Sequence, residues 1–126
     1  MNFVYSEQYL PAAPVLSIRL AYPDEKFRVG PLTALVDTGA DGCLIPQHYL
    51  DQISAPLVDQ VRIRSHWGEW KIVQVYTVDI GLEDLRFPVV EAAGDLGDEI
   101  ILGRNFLNRL HITLDGPDKQ LLLVNG

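Results

Sequence analysis

The side chain with the clearest chemical placement in this chain of 126 residues is Asp37. It closes an apolar run, Ala34-Leu35-Val36, and is followed by a hydroxyl residue, Thr38, and by Gly39. A lone carboxylate at the end of a buried strand is costly, so it needs either hydrogen bonds or a chemical role. Gly39 permits a tight turn and close approach of another backbone, and Thr38 can hydrogen-bond locally or across an interface. Taken alone, these residues describe a strand followed by an Asx-type turn. The other candidates for chemistry are dispersed. His48, His66 and His111 lack the spacing of metal ligands. Cys43 is the single cysteine, and no motif places a histidine beside it, so it is expected to be a small buried hydrophobe. Asp95, Asp98 and Glu99 share an acidic loop without the ligand periodicity of a calcium site. No metal and no cofactor are expected.

The surroundings of Asp37 sharpen the reading. Leu35-Val36, Asp37-Thr38-Gly39-Ala40-Asp41 and Leu44-Ile45 follow in order, and about sixty residues on comes Ile100-Ile101-Leu102-Gly103-Arg104-Asn105-Phe106-Leu107. Together these blocks resemble the active-site loop and the closing strand, glycine, Arg-Asn and helix of the retroviral-type aspartic proteases, the retropepsins. The resemblance implies an all-β fold, a closed acid-protease barrel with one short C-terminal helix. It also implies an aspartic endopeptidase that hydrolyses peptide bonds.

That chemistry needs two carboxylates sharing a water, one ionised to take a proton from it and one protonated to donate to the scissile carbonyl. The chain has a single Asp-[Thr/Ser]-Gly. The second carboxylate must then come from a second copy, so the resemblance implies a C2 homodimer with Asp37 of each chain at the axis. Position by position, it makes Thr38 the hydroxyl that bonds the partner's loop and Gly39 the backbone that accepts a substrate hydrogen bond. Ala40 lines the cleft wall, and Leu44 lines a pocket. Asp41 binds substrate main chain and forms a structural clasp with Arg104. Gly42 falls where viral enzymes often carry a second acid.

These residues must be positioned by short elements. Residues 1–14, with Pro11 and Pro14, read as an extended N-terminal arm, and 15–126 as a single domain. Alternation over 15–20 predicts a strand, Tyr22 to Glu25 a turn, and Leu32 to Val36 the strand that delivers Asp37. Residues 46–52 suit a single helical turn. From 60 to 80 the pattern is a long hairpin: Val61 and Ile63 alternate with Arg62 and Arg64, and the tip falls at Ser65 to Glu69. The resemblance makes this hairpin the flap over the substrate, with Trp67 and Gly68 in contact with it. Viral flaps are glycine-rich at the tip, whereas this one keeps only Gly68 beside Trp67 and Trp70. Tryptophans there are expected to cover substrate, the partner's tip or another molecule. Arg86 to Val90 is a strand with Pro88 at an edge or bulge, and 92–99 an acidic loop. Ile100 to Leu102 is an apolar strand, and Gly103 lets it pass close to the active-site loop. Residues 104–110 suit a short helix. Leu121 to Val124 is a last apolar strand, expected to join a sheet shared with the partner's termini.

Composition bounds the rest. Ten Gly and eight Pro suit many short strands and turns, and a net charge of −7 argues against nucleic acid or an anionic membrane as partner. No apolar run approaches the ~20 residues that span a bilayer. The N-terminus lacks a basic region followed by an apolar one, so a cytoplasmic protein is expected. The expected partners are a second copy and a peptide or protein substrate. The alternative is a catalytically silent dimerisation or peptide-binding module of the same fold. A protease domain active only within a larger assembly is also conceivable, against which stands a start at Met1 with no flanking domain.

Overall fold

A computed structural model describes residues 1–64 and 67–124. In chain order the strands and helices are β1 (Asn2–Val4), β2 (Val15–Ala21), β3 (Val29–Val36), β4 (Cys43–Pro46), α1 (Gln47–Gln52), β5 (Leu57–Arg64), β6 (Trp70–Leu82), β7 (Leu85–Asp95), β8 (Ile100–Leu102), α2 (Arg104–Leu107), β9 (His111–Asp115) and β10 (Gln120–Val124). Of the expected hairpin tip, Ser65 and His66 lie outside the described residues. None of the described helices is long and apolar enough to cross a membrane.

Period-two patterning builds the barrel. In β2, Leu16, Ile18 and Leu20 are buried while Ser17 and Arg19 are exposed, as a strand with one face on a core requires. The strands run in the order β2-β3-β8-β4-β7-β6, and a further pairing of β2 with β6 closes the circle into a six-stranded barrel. The closed all-β barrel expected from the sequence is therefore present. It carries two short helices, α2 near the C-terminus and α1 at the single helical turn. Phe106 of α2 is fully buried and meets Phe87 edge to face, with ring centroids 5.3 Å apart.

β8 decides where the site lies. It runs parallel to β3, Val36 opposite Leu102, and antiparallel to β4, Leu44 opposite Ile101. Three apolar residues thus wedge between the strand that enters the active-site loop and the strand that leaves it. β7 runs to Asp95, so the first part of the expected acidic loop is strand paired with β4.

Pro88 sits in a bulge, as its missing N–H predicts. The register shifts between Val78 and Ile80, and Val89 takes a φ of +50°. That left-handed backbone is costly for a β-branched residue. Asp79 holds it in place: its buried carboxylate accepts from Val89 N–H (2.8 Å), from Asp24 N–H (2.8 Å) and from Arg86 Nε (2.8 Å). Burial pushes this carboxyl up, but the two backbone donors and the Arg86 guanidinium outweigh it and hold Asp79 below the ordinary range.

The termini form a separate sheet in the order β1-β10-β9. β10 therefore has a neighbour on both edges within one chain, where the sequence suggested a segment waiting for a partner's termini. The reason is that the first strand folds back onto the last, Phe3 opposite Leu121. The remainder of residues 1–14 is bridged at Ser6 and Ala13, and the Tyr9 hydroxyl donates to Glu99.

Candidate active site

β3 delivers Asp37 to the barrel's edge, and the ladder with β8 continues one residue further, Asp37 N–H donating to Leu102 O at 3.1 Å. The chain then turns back on its own carboxylate. Gly39 N–H donates to Asp37 Oδ1 at 2.9 Å, and Ala40 N–H to Asp37 O at 3.1 Å. Asp37 is half-buried, and among the described residues its other oxygen has no hydrogen-bond partner. Thr38 is exposed, and its hydroxyl likewise finds no partner among the described residues.

The loop is held from beneath by the start of α2. Arg104 N–H donates to Ala40 O (2.8 Å), Asn105 N–H to Asp41 O (3.2 Å), and Arg104 Nη1 to Thr38 O (2.8 Å). Arg104 Nη2 pairs with Asp41 Oδ1. The Asp41 side chain is 93% exposed, so the ion pair alone contributes little; the fork of contacts from one guanidinium orients the loop. Gly103 makes this approach possible, because a Cβ there would lie 2.3 Å from Gly42 O. Cys43 Sγ donates to Asn105 Oδ1 at 3.3 Å, and Asn105 Nδ2 to Glu91 O at 2.8 Å. Burial pushes the Cys43 thiol up to about 11, which leaves it without thiolate character near neutral pH.

Beside the loop an open groove of about 440 Å³ runs between the β5–β6 hairpin and the barrel. Its floor is a lateral row of three strands, Leu44 opposite Ala93 and Ala93 opposite Val75. Val61, Ile63 and Val73 supply the hairpin side, and Asp41, Glu91 and Asn105 the polar rim.

Of the residues the sequence singled out, Asp41 and Leu44 line this groove, while Asp37, Thr38, Gly39 and Ala40 form the adjoining loop. Trp67 and Gly68 are not among its lining residues. Trp67 is 89% exposed, and Gly68 has the positive φ (+81°) that a tight turn demands. Trp70 lies on the opposite face of β6 from Val73 and is covered by Arg62, whose guanidinium stands 4.7 Å from the ring centroid. The alternation of Val61 and Ile63 with Arg62 and Arg64 marked a hairpin strand but not their place along the groove. Glu91 gave no such signal. Among the described residues no group of three His, Cys, Asp or Glu side chains comes together to hold a metal.

A closed all-β barrel that presses an Asp-Thr-Gly loop against a Gly-Arg-Asn segment defines the retropepsin-like aspartic protease fold. The family model described as gag-polyprotein putative aspartyl protease matches residues 27–109, and the chain belongs to that family. Among solved structures it is similar to a retropepsin-like aspartic protease from Rickettsia conorii, with a TM-score of 0.67 and 15% identity over 98% of this chain and 88% of the other. It is similar to EIAV protease, solved with an inhibitor, with a TM-score of 0.59 and 18% identity over 85% of this chain and 93% of that one. The retroviral protease-like domain of Ddi1 from Leishmania major matches with a TM-score of 0.55 and 14% identity, covering 90% of each chain. At such identities the likeness speaks for the fold alone. No curated protein matches the sequence.

Proposed function

We propose that this protein is an aspartic endopeptidase assembled from two copies, hydrolysing peptide bonds through a water held between two Asp37 carboxylates. The observation that carries the proposal is the state of the loop in one chain. Asp37 has one oxygen tied by Gly39 N–H and the other unpartnered among the described residues, beside an exposed Thr38 hydroxyl with no partner there either. A two-fold axis at this loop would give both groups their partners. Like charges so close do not both ionise, so the pair shares a proton. Its ionised member takes a proton from water as the water attacks the scissile carbonyl, and its protonated member donates to the carbonyl oxygen. Thr38 would bond the partner's loop, Gly39 accept from substrate main chain, and Ala40 line the cleft. Asp41, clasped by Arg104, would bind substrate main chain, and Leu44 would line a pocket. The β5–β6 hairpin would act as the flap, closing Trp67 and Gly68 onto substrate. The cytoplasm and a peptide or protein substrate belong to the same proposal.

A silent peptide-binding or dimerisation module is the second reading. It is favoured by one fact: the groove is formed within a single chain, and Asp37 is not among its residues. Incubation with a diverse peptide mixture from pH 3 to 7, with and without pepstatin, separates the two. The wild type should cleave, with a rate that falls as pH rises and the pair loses its shared proton. Asp37→Asn, which cannot share the proton, should be folded, dimeric by sedimentation, and inactive. A wild type that cuts nothing, or an Asn variant that cuts equally well, sinks the peptidase reading in favour of the module.

A further inference from the structure

The groove is apolar along its floor and has two acids in its rim, Asp41 and Glu91. We infer that it takes a lysine or arginine side chain of the substrate, the hydrocarbon stem lying on Leu44, Ala93 and Val75 and the cationic head at Glu91. This rests on the peptidase reading and names a substrate class for it.

Glu91 stands two residues before Ala93 on β7, so both project from the same face of the strand, about 6–7 Å apart along it. That distance is spanned by a long side chain laid flat, not by a short apolar one. Asn105 Nδ2 holds Glu91 O at 2.8 Å, which fixes the backbone from which the carboxylate projects. Among the described residues the ion pairs join Arg86 to Asp79, Arg104 to Asp41 and Lys119 to Glu7, and none reaches Glu91. The other acid of the groove, Asp41, is thus already answered by a cation, and Glu91 is not. Lys71 projects from the same face of β6 as Val73 but is not among the groove's residues. Lysine and arginine are the side chains that keep methylenes on apolar surface while their heads stay in water beside an acid. A net charge of −7 further favours the approach of basic peptides over acidic ones.

The test uses peptides identical except at one position, which carries Lys, Arg, Met or Glu in turn, scanned through the sites flanking the scissile bond. At one site kcat/KM should be higher for Lys and Arg than for Met, and lowest for Glu. Because Glu91 is exposed, Glu91→Gln should reduce the Lys-to-Met ratio by roughly two- to fivefold. Glu91→Lys should turn the preference toward Glu, and raising salt from about 0.05 to about 0.5 M should narrow the wild-type ratio. Circular dichroism checks that both variants are folded. Cleavage with no basic preference at any site, or a preference that Glu91→Gln leaves intact, overturns the inference while the peptidase reading stands. If nothing is cleaved, the peptidase reading fails instead. Fluorescence anisotropy of the same labelled peptides then decides the groove: tighter binding of Lys over Met that Glu91→Gln reduces supports it, and equal binding overturns it.

Discussion

Replacing Gly103 with alanine would drive a methyl group into the backbone of Gly42. The added Cβ would sit 2.3 Å from Gly42 O, 2.5 Å from its C and 2.8 Å from its N, all closer than real Cβ contacts come. Gly103 itself has φ −91° and ψ −178°, an extended backbone that alanine adopts freely, so the whole penalty is steric. The obstructing atoms are main chain and cannot rotate aside. Relief requires the end of β8 and the active-site loop to separate by about an ångström, enough to break hydrogen bonds now near 3 Å. Three of these cross the junction: Asp37 N–H to Leu102 O, Arg104 N–H to Ala40 O and Asn105 N–H to Asp41 O. At about 1 kcal/mol each they represent about 3 kcal/mol, near the upper end of what overpacking costs. Loss of glycine's freedom in the unfolded chain returns about 0.4–1 kcal/mol, leaving roughly 2 kcal/mol of destabilisation. Gly42→Ala is the control, since a Cβ there meets nothing within 4 Å. It should be neutral or stabilised by up to about 1 kcal/mol. Urea unfolding of both variants measures the difference, and peptide hydrolysis should fall only where the loop has been displaced. Equal midpoints for the two would refute the close approach on which the description of the site depends.

Three further outcomes are expected. Asp79 is held below the ordinary carboxylate range in the folded protein, so its stabilisation is present above the unfolded value of about 3.9 and lost as pH falls through the lowered folded one. Asp79→Asn should therefore lower stability by about 2 kcal/mol at pH 7 and flatten the acid limb of the stability profile; a profile parallel to wild type would contradict this. Cys43, buried and raised to about 11, should react with iodoacetamide at pH 7.5 at least about a hundredfold more slowly than a free cysteine, by mass spectrometry, until urea unfolds the chain. Trp67→Gly should change stability by no more than about 0.5 kcal/mol, since the side chain is 89% exposed, and should raise KM for peptides if the hairpin closes on them; lost stability with unchanged kinetics would mark a packing residue instead.

Asp37, Thr38 and Gly39 were legible because a turn's chemistry is local: a carboxylate, its Asx hydrogen bond and the glycine that permits it lie within three residues. Period-two alternation likewise marked β2, which meets the core on one face, and β5, whose residues are all exposed and whose alternate Val61 and Ile63 line the groove. Pro88 announced its bulge through a missing donor, but not the partner. That Asp79 of the neighbouring strand would stabilise Val89 at φ +50° depends on a strand pairing. Glu91 is the same case: nothing in its neighbours along the chain sets it beside Leu44, and only the parallel pairing of β4 with β7 and the lateral row through Ala93 and Val75 make a groove there. The terminal sheet went to the tertiary structure for the same reason. An apolar run such as Leu121 to Val124 states that it must pair but not with what; β9 is its local hairpin partner, whereas the pairing with β1 of its own chain was made across more than a hundred residues of sequence. Side-chain periodicity and turn chemistry act over a few residues and can be read from the sequence; which strands meet, and hence which carboxylates face a groove, is set by closing the barrel.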